Sequence, residues 1–163
     1  MDVELIVRLR VGNRPEGIAM SDWSNDAARR IQRKRDDARI KSEKALQEDK
    51  LLNLNSSALW QQLRDLLIQM SNDFNSEPGF QDALLLDKKN SAELRIEYSE
   101  ADAKLCASFD AERQSIILSG NLTGVYKFKV IPGTRDVSIV DSNGMSAPPH
   151  EIAKKAMDKL LGL

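Results

Sequence analysis

A change of hydrophobic period near Lys88 constrains this 163-residue chain more than any other feature. Before it, apolar residues recur at helical spacing; after it, they alternate with polar ones, as on a half-buried strand. Leu59, Leu63, Leu66, Leu67, Met70 and Phe74 share one helical face with Trp60 beside it, the strongest amphipathic signal in the chain. Ala92, Leu94, Ile96 and Tyr98, by contrast, alternate with Glu93, Arg95 and Glu97. Helices first and strands second predict an α+β fold, with the helices packed on one face of an antiparallel sheet.

The strand-forming half continues with apolar alternation over 105–109, 115–119, 125–131 and 137–141. The segments between are short enough to join antiparallel neighbours, which predicts a five-strand meander. Residues 80–87 read as one or two short turns of helix. Ser142-Asn143-Gly144 closes the last strand. Pro148-Pro149 then opens a short helix over about 149–161, with Ile152, Ala156, Met157 and Leu160 inward.

The first half, residues 1–78, reads as mainly helical. Val3, Leu5, Val7, Leu9 and Val11 alternate with Glu4, Ile6, Arg8 and Arg10 and predict an amino-terminal strand, a short helix being the alternative. Ser21 or Asp22 can cap a helix that runs to about Leu52 without Gly or Pro. Asn53-Leu54-Asn55-Ser56-Ser57 interrupts the pattern, because short polar side chains compete for backbone hydrogen bonds. A helical hairpin is therefore expected, followed by the Leu59–Phe74 face, all within a single domain spanning 1–163.

Composition narrows the class. With 41% hydrophobic and 30% charged residues, the chain is an ordinary globular one. Its amino terminus does not read as a signal peptide, and no apolar run approaches the roughly 18 residues of a membrane span. A cytoplasmic protein is the expectation. Cys106 is the only cysteine and His150 the only histidine, so neither a cysteine cluster nor a histidine cage can bind metal. No glycine run matches a phosphate-cradling loop, and no cofactor is expected.

Three surfaces remain as candidates. The first is a thin stripe on the long helix: Trp23, Ala27, Ile31, Ala38, Ala45 and Leu52, with Lys34, Arg35, Lys41 and Ser42 where a fuller heptad seam would be apolar. A helix of this length measures roughly 45 Å, against about 20 to 25 Å for the strands. Ala27, Ile31, Ala38 and Ala45 are therefore candidates for the interface of a homodimer, the reading ranked first, with a non-enzymatic binding or assembly role. The second surface is a cavity for a small apolar ligand between sheet and helices, lined by Leu63, Leu67, Met70, Phe109 and Phe128.

The third is cationic. Residues 29–44 carry eight basic side chains, including Arg29, Arg30, Arg33, Lys34, Arg35 and Arg39, against three acids, a local excess of +5. Such a face can follow a phosphate backbone. The whole chain is nonetheless at −1, and a solvated helix face is the preferred reading over nucleic acid. Catalytic candidates are weaker. His150 stands at a helix start without a nucleophile motif, and Glu93, Arg95 and Glu97 decorate a strand face that Lys127 and Lys129 could oppose.

Overall fold

The computed structural model describes residues 15–163; the strand expected over 3–11 lies outside them. It is an α+β protein in the order helix, six strands, helix. Helix α1 is Pro15–Ser76, and the chain divides into two units at Gln47 and Glu48.

In the first unit the helix carries its own local ties. Arg30 meets Asp26 at 2.8 Å, Arg39 meets Glu43 at 3.9 Å, and Gln32 donates to Asp36 at 3.2 Å. All are one turn apart, the spacing at which side chains support a helix by about 0.2–0.5 kcal/mol per pair.

In the second unit the expected hairpin is absent, because α1 continues through Asn53–Ser57. The polar side chains there find partners without ending it, and Asn53 Oδ1 accepts from Gln114 Nε2 at 3.1 Å. Asn55 Nδ2 donates to the Leu51 carbonyl at 2.8 Å, one turn back, and Ser71 Oγ does the same to Leu67. Ser56 is buried on the core-facing side, one turn before Trp60, where a small side chain fits. Tertiary packing has overridden a local preference for turns.

The sheet is a six-strand antiparallel meander in sequence order. Its strands are β1 (Leu84–Asn90), β2 (Glu93–Tyr98), β3 (Ala103–Asp110), β4 (Ser115–Gly120), β5 (Gly124–Val130) and β6 (Val137–Val140). β2 to β6 fall where the alternation places them. β1 replaces the short helical turns expected over 80–87: Leu84 pairs with Tyr98 and Leu86 with Ile96, so both extend the core face of β2.

That face is built in rows. Leu86, Ile96 and Leu105 lie side by side, as do Leu94, Ala107 and Leu118, and then Phe109, Ile116 and Tyr126. Trp60, Leu63 and Leu67 from α1 pack into this core with Ile152, Ala153, Ala156, Met157 and Leu160 from α2 (Pro149–Leu161). Each fully buried leucine or isoleucine stabilises the fold by about 1.5–3 kcal/mol.

Both sheet edges are managed. Beyond β6 the chain turns back, with Val140 bridged to Ser146 and Ala147 N donating to the Ile139 carbonyl at 2.8 Å. At β1 a side chain takes the part of a strand. Asn75 accepts from Leu84 N at 2.9 Å and donates to the Leu84 carbonyl at 2.9 Å. Asn75→Ala strands both groups on a residue only 2% exposed. The expected loss is about 2 kcal/mol, read as a lowered urea midpoint. Asn75→Asp keeps only the acceptor and falls between.

Candidate functional site

The first unit presents α1 almost bare. From Ser21 to Gln47 no side chain is buried, and only Ala27 and Asp36 are half-buried. Four large apolar side chains stand in solvent on this stretch: Trp23 at 69%, Ile31 at 52%, and Ile40 and Leu46 at 57% each. Of the interface candidates, Ile31, Ala38 and Ala45 are exposed and Ala27 half-buried. They fall on one line of the helix. Ile40 and Leu46 lie off that line, on faces the stripe does not include.

The same stretch carries the cations. Arg30 and Arg39 are tied to Asp26 and Glu43, but Arg29, Arg33, Lys34, Arg35, Lys41 and Lys44 have no ion pair among the described residues. Asp37, between them, is likewise exposed and without an ion pair among the described residues.

The five residues proposed to line a ligand cavity belong to the packed core. Leu63, Leu67 and Phe128 are buried, and Met70 and Phe109 pack against them. The Phe109 ring stacks on Trp60 with centroids 6.1 Å apart, and its edge meets Phe128 at 5.8 Å. These aromatic contacts occupy the region between sheet and helices with protein side chains.

On the sheet's polar face, Arg95 donates to Glu93 at 2.8 Å, while the Cys106 thiol donates to the same Glu93 oxygen at 3.6 Å. The Arg95 hydrogen bond, aided by the Cys106 thiol, holds the Glu93 carboxyl below its ordinary value, and Glu93 in turn raises Arg95. Only the β2–β3 register, which sets Arg95 opposite Cys106, brings these groups together. Lys127 and Lys129 do not oppose Glu93 and Glu97, because β3 and β4 lie between; Glu97 meets Lys104 at 4.0 Å instead.

Elsewhere, burial raises the Tyr126 hydroxyl, with the Asp141 charge adding to it, and a hydrogen bond to Glu100 raises Tyr98. His150 is exposed in the first turn of α2, with no hydrogen bond to a hydroxyl or carboxylate among the described residues. Among those residues no cluster of His, Cys, Asp and Glu is placed to hold a metal, and no helix is long and apolar enough to cross a membrane. No family model, curated protein or solved structure matches this chain.

Proposed function

We propose that this protein is a non-enzymatic assembly module that joins a second copy of itself through the first-unit stretch of α1. One observation carries the reading: from Ser21 to Gln47 the helix buries no side chain yet exposes Trp23, Ile31, Ile40 and Leu46. Helices in water are held mainly by tertiary packing of an apolar face, and local pairs worth a few tenths of a kcal/mol each do not replace it. A partner lying along the stripe supplies that packing. Alanines at 27, 38 and 45 let a second helix approach closely. A ligand cavity has less support, since its candidate lining is engaged in core contacts.

Light scattering tests this. The wild-type chain is expected at twice its 18.3 kDa mass, and Ile31→Glu with Ala38→Glu at the monomer mass. Both positions are exposed, so the variant keeps its far-UV circular dichroism from the sheet. A wild-type monomer at micromolar concentration refutes the proposal.

A further inference from the structure

We propose that Asn143 deamidates spontaneously to isoaspartate, and that this product frees the edge of β6 from the segment that covers it. Asn143-Gly144 is the one Asn-Gly step in the sequence, and it occupies the tip of the loop after β6. A backbone amide attacks the preceding asparagine most readily when its own residue has no β-carbon to obstruct the approach. Glycine also gives that amide the widest choice of backbone angles. Residues 142–146 are all exposed, so water reaches the site.

The loop leaves both reacting groups accessible. Gly144 sits at φ +78° and its N–H donates to the Asp141 carbonyl at 3.0 Å, while the Asn143 side-chain amide has no hydrogen bond among the described residues. One hydrogen bond has to open before the Gly144 nitrogen can turn to the Asn143 Cγ, and no buried side chain moves with it. Such a local opening is what an exposed loop tip undergoes most easily. The Gly144 nitrogen then loses its proton and bonds to Cγ, and the side-chain nitrogen leaves as ammonia. Water opens the resulting succinimide ring at either carbonyl, giving aspartate or, as the larger share, isoaspartate.

Isoaspartate carries the main chain through its side-chain carbon, which adds one backbone atom to a loop closed at both ends. Val140 and Pro149, on either side, are buried. Between them, Asp141 N donates to the Met145 carbonyl at 2.9 Å, and Asp141 Oδ1 accepts from Asn143 N and Met145 N at 2.9 Å each. Lengthening the chain between Asn143 and Gly144 breaks this closure, and the new carboxylate stands two residues from that of Asp141, where like charges repel. The Val140–Ser146 bridge and the hydrogen bond from Ala147 N to the Ile139 carbonyl, at 2.8 Å, continue directly from the loop. Losing them leaves β6 an open edge, able to pair with another strand.

Incubating the full chain in mildly alkaline buffer, then digesting it with trypsin for mass spectrometry, reads the first step. The peptide 136–154 contains no other asparagine and no glutamine, so a gain of one mass unit there reports Asn143. That gain is expected in the native chain. Anion exchange separates the more acidic product, and nuclear magnetic resonance then follows its Ala147 amide. Exchange of that amide with solvent is expected to be about tenfold faster than in the starting protein, as the loss of one hydrogen bond predicts. Asn143→Asp adds the charge without lengthening the chain and is expected to keep most of the protection. A native peptide that stays unmodified under conditions where the urea-unfolded chain reacts overturns the proposal. Modification with Ala147 exchange unchanged, or an Asn143→Asp variant that exchanges as fast as the product, overturns the release of the edge by isoaspartate.

Discussion

Trp60→Ala lowers the unfolding free energy by about 4 kcal/mol, enough to remove much of the stability of an ordinary domain. The indole is only 3% exposed, stacks on Phe109 at an interplanar angle of 15°, and donates its Nε1 hydrogen to the Ser91 carbonyl at 2.7 Å. It therefore joins α1 both to the core and to the β1–β2 turn. Alanine leaves a cavity that Phe109 and Leu63 cannot close, and an unmet carbonyl besides. Trp60→Phe separates the two effects: it retains most of the packing, loses the hydrogen bond and costs about 1–2 kcal/mol. Urea denaturation of both variants checks this. An alanine variant within about 1 kcal/mol of wild type refutes the central placement of Trp60.

Gly120→Ala is expected to cost about 3 kcal/mol, from a backbone that only glycine adopts readily and from steric conflict. Gly120 sits at φ +102°, and a β-carbon there lands on the backbone carbonyl of Lys104 in the adjacent strand. The neighbouring contacts cannot yield cheaply. Asn121 N donates to that same carbonyl at 2.8 Å, and Asn121 Oδ1 accepts from Lys104 N at 2.9 Å. Gly133→Ala is the control: φ is +77°, but no atom lies within 4 Å of the added carbon. It should lose only about 1 kcal/mol, the conformational part. Equal losses in the two variants, measured from urea midpoints, contradict the steric account.

Periodicity made most of the fold legible. Leu59 to Phe74, the alternations from Ala92 onward and the proline-initiated helix at Pro149 each bury one face, and burying one face is what imprints a period on a sequence. The two misreadings have physical causes. Leu84-Leu85-Leu86 carries no alternation because Leu85, at 51% exposure, is apolar on the wet side. Asn53 to Ser57 resembled a turn because the sequence shows that these side chains seek backbone partners but not that Leu51, within the same helix, is the partner of Asn55.

The candidate site was legible in part. The stripe through Ala27, Ile31 and Ala38 is a periodic signal, and its residues are surface-accessible. Ile40 and Leu46 follow no period shared with it, so only the exposures reveal them. Leu63, Leu67 and Phe128 illustrate a different limit: apolar residues on an inward face look alike whether they line a cavity or fill a core. Glu93 and Cys106 meet through strand register, which connects residues 13 apart without any local signature.

The nearest-neighbour pairing of all six strands also bears on how the chain matures at the ribosome. Short loops and low contact order let the hairpins close quickly once their residues emerge. The apolar face of α1 has such a local partner only at its end, where the Phe74 ring meets Phe80 at 4.7 Å. Phe74 precedes Leu160 by about 86 residues, so at about 5–20 residues per second a nascent chain carries that face incompletely covered for on the order of 4–17 s. Strand pairing is fast and sequential here, while helix docking waits on translation, and that interval is when a ribosome-bound chaperone has the most apolar surface to hold.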